Sequence, residues 1–240
     1  MKRQAQASGA GGIAPTRGLL VTPAEAVDTN MGRDYLPAKS CAEHIMAMPA
    51  LHPRRWTAAE VRKLTADNPL LTPRYELVDG ELLVTPSPGW PHQRTVKNLL
   101  FALETYLRSM QLGEVLSSPS DVELEPEFIS QPDLFVLSWA EIRRLMREGF
   151  PVYALMLAIE VVSPSSGRHD RVRKRPKYQK HVQEYWIVDP DARLIERWRG
   201  SDERPEICSA QFAWQPPADV APFALDLEAF FDDVYREVPE

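Results

Sequence analysis

Apolar residues recur every three or four positions along one segment of the chain, and this spacing predicts an amphipathic helix. The stripe consists of Val96, Leu99, Leu100, Leu103, Leu107 and Met110. Pro91 and His92 open the helix, and Gly113 is expected to end it. His92 precedes Val96 by four residues, so its side chain is expected on the inward-facing stripe.

Short apolar runs on either side of turn residues predict two β-hairpins. In the first, YELVDGELLVTPSP, the turn falls at Asp79-Gly80. In the second, EYWIVDP and RLIERWRG pair across Pro190-Asp191.

The remaining patterned segments predict three strands and four helices. The segment GEVLSSPSDVELE, the more uniformly apolar QPDLFVLS and the buried residues 158–162 are the strands. Thr57 and Glu60 form a capping box for a short helix, residues 140–148 form another, and residues 168–180 are helical for much of their length. The last helix, LDLEAFFDDVY, is expected to cover an edge of the sheet.

Residues 1–47 differ from the rest of the chain because they show no sustained period of 2 or 3.6 and are rich in Ala, Gly and short polar residues. Such a segment cannot bury enough apolar surface to offset the entropy lost on ordering. We therefore expect a disordered extension over residues 1–47 and one folded domain over residues 48–240.

Composition narrows the class of protein. The 240 residues include 28 Lys and Arg against 34 Asp and Glu, a net charge of -6, so the chain lacks the basic excess of an architectural nucleic-acid binder. Only Cys41 and Cys208 are present, which excludes a disulfide framework and a cysteine-based zinc module. The longest uncharged, mostly apolar run, residues 150–159, is about half of a ~20-residue membrane span. We expect a cytoplasmic protein without a membrane partner.

Charges concentrate in two short regions. The acidic region contains Asp121, Glu123, Glu125, Glu127 and Asp133 and no base. The basic region contains Arg168, Arg171, Arg173, Lys174, Arg175, Lys177 and Lys180 against one acid, Asp170. The first region can hold a cation and the second a polyanion, although the commoner use of such charge runs is a solvated surface.

Glu160 lies inside a predicted buried strand, where a carboxylate costs several kcal/mol unless it is paired or binds a metal. Asp133 follows Pro132 near the start of another apolar strand, so both acids reach one end of a sheet if the strands are neighbours. Two carboxylates with waters suit Mg²⁺. The alternative is a satisfied edge position for Asp133 and an arginine partner for Glu160.

Six motifs occur in a fixed order between about Trp56 and Phe231. They are YELVDGEL, PSPGWPHQ, QPDLFVLS, AIEVVSPSS, DRVRK with Tyr178 four residues on, and EYWIVDP. In this order and spacing the chain resembles the Uma-type restriction endonuclease family of the PD-(D/E)XK nuclease superfamily. An ordered set of motifs is more specific than a lone Pro-Asp followed by a Glu.

The resemblance implies a restriction-endonuclease-like α/β core, with a mixed central sheet flanked by helices and a divalent-metal site at the end of the sheet. It implies that Asp133 and Glu160 hold Mg²⁺ or Mn²⁺. Because Val162 occupies the usual lysine position, it also implies that the catalytic lysine has moved to the next helix, as Lys174.

Two further residues match positions of the same family, and three bases take a role from the charge of the basic region. Glu76 is either an acid at or behind the metal site or an exposed hairpin residue. His92 is either a site residue or a core or capping histidine. Arg171, Arg173 and Lys177 would contact phosphates outside the metal site.

The chain departs from the family pattern at three places. Leu155, Met156 and Leu157 replace a second Pro-Asp motif, so an acid near the site entrance is absent. Pro176 lies inside the basic helix, where it costs ~3 kcal/mol unless the helix kinks or begins later, and it can displace Lys174. His181 replaces a turn glycine.

These features predict a divalent-metal-dependent endonuclease that acts on DNA. The alternative is a catalytically silent module of the same fold that binds nucleic acid or a protein partner. Glycoside hydrolysis by the paired acids ranks lower because aromatic substrate-binding motifs are absent. The sequence leaves open whether the substrate is RNA instead of DNA and whether the chain forms a homodimer.

Overall fold

A computed structural model describes residues 54–68, 70, 72–85, 87–163 and 167–237. The disorder expected for residues 1–47 lies outside the described residues. The helices are α1 (Ala58–Ala66), α2 (Trp90–Met110), α3 (Trp139–Glu148), α4 (Gly167–His169), α5 (Arg175–His181) and α6 (Leu227–Tyr235), with a π-helical stretch (Asp170–Lys174) between α4 and α5. The strands are β1 (Arg74–Val78), β2 (Glu81–Thr85), β3 (Gly113–Ser117), β4 (Val122–Glu125), β5 (Phe128–Ser130), β6 (Leu134–Ser138), β7 (Leu157–Val161), β8 (Glu184–Asp189), β9 (Leu194–Arg199), β10 (Glu206–Cys208), β11 (Gln211–Trp214) and β12 (Phe223–Asp226).

A mixed sheet of six strands forms the centre of the fold, in the order β10-β9-β8-β7-β6-β3. Strands β7 and β8 run parallel, whereas the other neighbouring pairs in this sheet run antiparallel. Helices flank this sheet. The predicted α/β core with a mixed central sheet is therefore confirmed.

Different layers cover the two faces of the central sheet, because alternate residues of each strand point to opposite sides. One face packs against α2 and α6 in a cluster that includes Leu103, Leu157, Trp186 and Phe231. The other face packs against α5 and the antiparallel sheet β2-β1-β5-β4. Helix α6 thus packs on this face beside α2 and not at the sheet edge expected from its sequence.

Local sequence signals located several elements correctly. Thr57 caps α1, and the predicted capping box with Glu60 is formed. Asp79 and Gly80 have φ values of 51° and 80° and form the turn between β1 and β2. Strands β8 and β9 form the second predicted hairpin.

The segment predicted as one strand over residues 113–125 is two strands in different sheets. Strand β3 pairs with β6 in the central sheet, whereas β4 pairs with β5 in the four-stranded sheet. Pro119 lies between them and has no backbone N–H to donate to a strand ladder. The prediction of a continuous strand was therefore wrong, and β5 was not predicted.

Gly113 does not end α2, as was expected. Gln111 closes the helix in the left-handed conformation with a φ of 55°, and Gly113 begins β3. A Cβ atom on Gly113 would lie 1.9 Å from the carbonyl oxygen of Leu137. The close approach of β6, and not the helix end, requires glycine here.

The basic helical segment accommodates both of its departures from the family pattern. Pro176 lies in the first turn of α5, directly after the π-helical stretch in which Arg175 N–H donates to the carbonyl of Asp170. A proline in a first helical turn lacks only an N–H that has no intrahelical partner. Helix α5 ends at His181 and Val182 is extended, with a φ of -119°, so the turn needs no left-handed glycine.

Candidate active site

Asp133 and Glu160 face each other across neighbouring strands at the end of the central sheet. Strands β6 and β7 are antiparallel with Leu134 opposite Ile159, so the next pair along the two strands is Asp133 and Glu160. Alternation places both side chains on the face covered by the four-stranded sheet. Asp133 is 5% exposed and Glu160 is 2% exposed. The structure thus brings together the two acids that the sequence singled out.

Asp133 is held by three donors. Its Oδ1 lies 3.0 Å from Nη1 of Arg74, and its Oδ2 lies 3.0 Å from Nε2 of His92 and accepts a 2.9 Å hydrogen bond from the N–H of Val161. Burial alone would raise the pKa of Asp133, but His92, Arg74 and the Val161 N–H together lower it to about 2. Asp133 is therefore a carboxylate at neutral pH.

His92 joins the site from the first turn of α2. Because Asp133 is ionised and can only accept, Nε2 of His92 carries the proton of their hydrogen bond. His92 is buried, and it lies on the inward side of α2 as the spacing predicted. It contacts a proposed metal ligand and therefore orients that carboxylate.

Lys174 is buried among three carboxyl groups. Its Nζ lies 2.9 Å from Oε2 of Glu76, 3.1 Å from Oε1 of Glu160 and 3.3 Å from Oδ1 of Asp170. Burial disfavours the ammonium, but these three acids raise the pKa of Lys174 well above its usual value. Lys174 is therefore cationic, and Pro176 has not displaced it from Glu160.

Glu160 differs from Asp133 in its protonation equilibrium. Burial raises the pKa of Glu160 well above its usual value, the charges of Asp170, Asp133 and Glu76 add to this increase, and Lys174 opposes it. The hydroxyl of Tyr178 lies 3.5 Å from Oε1 of Glu160. The two opposed acids thus have environments that move their pKa values in opposite directions.

Glu76 is 1% exposed, so the alternative of an exposed hairpin residue was wrong. Its Oε1 accepts a 2.7 Å hydrogen bond from the N–H of Gln131, two residues before Asp133. Its other oxygen binds Lys174. Glu76 therefore connects the segment that leads into Asp133 with the lysine.

A cavity of about 470 Å³ opens over these groups. Its walls include Arg74, Glu76, His92, Asp133, Glu160, Asp170 and Lys174. A second cavity of about 230 Å³ is lined by Arg74, Pro88, His92 and Asp133 as well, and by Gln93 and Ser118. Asp133, Arg74 and His92 therefore border both spaces.

The three bases predicted to contact phosphates are engaged in ion pairs within the protein. Arg171 binds Glu196 at 2.6 Å and Asp189 at 3.3 Å. Arg173 binds Glu81 at 2.8 Å. Lys177 binds Glu125 at 3.1 Å and also contacts Asp79. None of the three bases lines either cavity, so the structure does not bring them to the site.

The acidic region also separates into members with different partners. Glu123 pairs with Arg62, Glu125 with Lys177 and Glu127 with Arg55, while Asp121 accepts from the side chain of Gln131. Of the five acids, Asp133 is the member that lines the cavities. The region as a whole is therefore not a cation site.

Arg74, Asp170 and Tyr178 belong to the site, but the sequence did not indicate their roles. Asp170 had a usable signal, because it precedes Lys174 by four residues in a helical segment and such residues are neighbours. Tyr178 donates to or accepts from Ser130 at 2.9 Å beneath Glu160. Arg74 had no local signal, since its contact with Asp133 spans 59 residues.

The mixed central sheet flanked by helices, with two facing acids and a lysine at its end, is the restriction-endonuclease-like arrangement that the resemblance implied. Residues 60–228 match the model of the Uma2 family, described as "putative restriction endonuclease", and the chain belongs to this family. Its membership supports a nuclease function. Within the described residues no helix is long and apolar enough to cross a membrane.

The fold is similar to that of a solved structure. It is the crystal structure of a "putative nuclease belonging to DUF820" from Anabaena variabilis, with a TM-score of 0.58 and 19% sequence identity. The match covers 68% of this chain and 92% of the other. No curated protein matches the sequence.

Proposed function

We propose that this protein is a divalent-metal-dependent endonuclease that hydrolyses phosphodiester bonds in DNA. The observation that carries the proposal is the position of Asp133, directly before β6, opposite Glu160 on β7, with Lys174 bound to Glu160 at 3.1 Å. All three groups line one cavity. The restriction-endonuclease family supports DNA as the substrate.

The donor set fits Mg²⁺ or Mn²⁺. These ions prefer oxygen ligands, and Mg²⁺ takes one or two protein carboxylates while keeping several waters. In the described part of the chain, no group of three or more Asp, Glu, His or Cys side chains could hold a metal. Asp133 and Glu160 would therefore hold the ion together with waters and a substrate phosphate, which the cavity has room to admit.

A bound ion would supply a more acidic water and neutralise charge on the cleaved phosphate. The protein's own groups prepare the site for this chemistry. Arg74 and His92 keep Asp133 ionised and fix its orientation. Lys174 places a positive charge beside Glu160, where it stabilises the charge that develops on the phosphate in the transition state.

The proposal is tested by comparing the parent with Asp133→Asn, Glu160→Gln and Lys174→Ala. We expect the parent to bind Mn²⁺ in titration calorimetry and to cut plasmid or single-stranded DNA in Mg²⁺ or Mn²⁺. Each acid variant should lose both properties. Lys174→Ala should keep Mn²⁺ binding and lose rate by about 10² or more, the scale for removing one transition-state partner.

Glu123→Gln is the matched control, because Glu123 belongs to the same acidic region as Asp133 but pairs with Arg62 away from the cavity. It should bind Mn²⁺ and cut DNA like the parent. A parent that binds no divalent ion and cuts neither substrate would overturn the proposal. Asp133 and Glu160 would then be structural residues of a silent nuclease-fold module.

A further inference from the structure

Trp90 exposes its indole at the beginning of α2, next to the residues that line both cavities. It is 70% exposed, although large aromatic side chains are buried on average. Gly89, which precedes it, lines the larger cavity, and Gln93, one helical turn further on, lines the smaller cavity. Trp90 itself lines neither cavity, but it lies in the chain between residues of the two cavity walls, and His92 of the same helical turn contacts Asp133. The guanidinium of Arg94 lies 5.9 Å from the centre of its ring.

The candidate catalytic groups are accessible only through a confined space. Asp133, Glu160 and Lys174 are each 5% exposed or less. The cavity of about 470 Å³ above them is in the size range of small-ligand pockets. It has room for the phosphate, sugar and base of one strand, whereas a duplex would have to present its phosphate from outside the cavity.

The basic side chains near the cavity do not form the continuous positive surface that would bind a duplex backbone. Arg171, Arg173 and Lys177 bind carboxylates of the protein instead. Proteins that bind single strands obtain much of their affinity from bases stacked on exposed aromatic rings. An indole beside the cavity provides such a surface.

We propose that the substrate reaches the site as an unpaired strand, and that a base next to the cleaved phosphodiester stacks on Trp90. This inference rests on the proposed function, since it assumes that the cavity holds a phosphodiester. It narrows the substrate class to single strands, flaps or open ends of DNA. Trp90 would then contribute to specificity without touching the reacting atoms.

The test is a binding measurement by fluorescence anisotropy on the full chain in EDTA, so that no strand is cut. Two labelled probes carry equal charge: a thymidine oligonucleotide and an abasic deoxyribose-phosphate strand of the same length. We expect the parent to bind the thymidine strand roughly five- to 150-fold more tightly, the range for stacking one base. Trp90→Ala should bind the two strands equally, and Trp90→Phe should restore part of the preference.

Phe101→Ala is the matched control, because Phe101 is 74% exposed on the same helix but lies about three turns beyond Trp90, past the α2 residues that line the cavities. It should bind both probes like the parent. The inference is overturned if Trp90→Ala keeps the preference for bases, if the parent binds neither probe, or if the parent binds a duplex as tightly as the single strand. If Trp90→Ala has a smaller molecular mass in solution than the parent, the indole forms a contact between copies of the chain. This result would also overturn the inference.

Cleavage assays on the same variants separate this inference from the proposed function. If the parent cuts no DNA in Mg²⁺ or Mn²⁺ but prefers the thymidine strand through Trp90, the catalytic proposal fails and the binding mode stands. If Trp90→Ala cuts duplex and single-stranded DNA as the parent does, the catalytic proposal stands and the role of Trp90 is refuted.

Discussion

The backbone N–H of Val161 donates a 2.9 Å hydrogen bond to Oδ2 of Asp133. This bond joins the residue after Glu160 to the carboxylate on the neighbouring strand, so the strand register itself fixes the distance between the two acids. Arg74 binds the other oxygen of Asp133. Both oxygens of this carboxylate are therefore positioned before any substrate binds.

Arg74 and Asp133 should be energetically coupled in the folded state. Replacing Arg74 with Met should lower the free energy of unfolding by about 3 kcal/mol, because the buried carboxylate loses its arginine partner and keeps only His92 and the Val161 N–H. The double variant Arg74→Met/Asp133→Asn should lose about 1–3 kcal/mol less than the sum of the single variants. Urea denaturation measures these differences, and strictly additive losses would contradict the coupling.

The surface pair Arg62 and Glu123 is the control for this cycle. Their side chains meet at 2.6 Å, but Arg62 is half exposed. Exposed pairs contribute about 0–1 kcal/mol, because solvent screens the charges. Arg62→Met should therefore change the free energy of unfolding much less than Arg74→Met.

Glu141 should make stability depend on pH independently of the active site. Its carboxylate accepts hydrogen bonds from Arg144 and from the N–H of Tyr153. The bonds to Arg144 and Tyr153 lower the pKa of Glu141 below its ordinary value of 4.5, against the effect of burial. Because the pKa is lower in the folded state, the stabilisation is present above pH 4.5 and is lost as the pH falls through the folded-state pKa.

Glu141→Gln should therefore be less stable than the parent by about 1–2 kcal/mol at pH 7, and the deficit should shrink as the pH falls below 4.5. Denaturant titrations at several pH values measure it. Glu148→Gln is the control, since Glu148 lies 3.6 Å from the same arginine but is exposed. A deficit for Glu141→Gln that stays constant from pH 7 to pH 3 would refute this role.

The salt dependence of DNA binding should distinguish paired bases from free ones. Arg168 is exposed and makes no ion pair with any described residue, and it precedes His169 in the cavity wall. Arg168→Ala should reduce the slope of log K against log salt by about one, since one phosphate contact is lost. Arg173→Ala should change the slope little, because Arg173 is already bound to Glu81.

The same measurement tests the phosphate contacts predicted from the sequence for Arg171, Arg173 and Lys177. If their ion pairs open when DNA binds, replacing all three with Ala will reduce the slope by about three. An unchanged slope for the triple variant would leave these residues with a structural role, in which they connect the basic helical segment to β2, β4 and β9.

Features that depend on neighbouring residues could be predicted from the sequence. The stripe of α2 and the Asp79-Gly80 turn follow from local spacing and backbone preference. Asp133 and Glu160 were identifiable because a carboxylate in an apolar strand must have a partner. The position of Lys174 came from the family resemblance, since a lysine in a basic run carries no signal of its own.

Contacts between distant segments explain what the sequence did not reveal. Arg74 reaches Asp133 only because β1 belongs to a second sheet that packs on one face of the first, and nothing near Arg74 records that packing. The basic region indicated a phosphate-binding surface because its excess of bases over acids can be read directly from the sequence. Its acidic partners, such as Glu81 and Glu196, lie far away in sequence, so the sequence did not show that they neutralise these bases.

Glu76 should act as a positioning residue for Lys174. In Glu76→Gln the side-chain carbonyl can still accept from the Gln131 N–H, but the ion pair with Lys174 is lost. If the catalytic proposal holds, kcat should fall about tenfold to a hundredfold, as expected when a catalytic group shifts slightly, while KM and Mn²⁺ affinity change little. In a Lys174→Ala background, Glu76→Gln should cause no further loss, because the group that it positions is absent. Steady-state kinetics and Mn²⁺ calorimetry on the two single variants and the double variant measure this.

Loss of Mn²⁺ binding in Glu76→Gln would instead make Glu76 a metal ligand, and multiplicative rate losses in the double variant would show that it acts independently of Lys174.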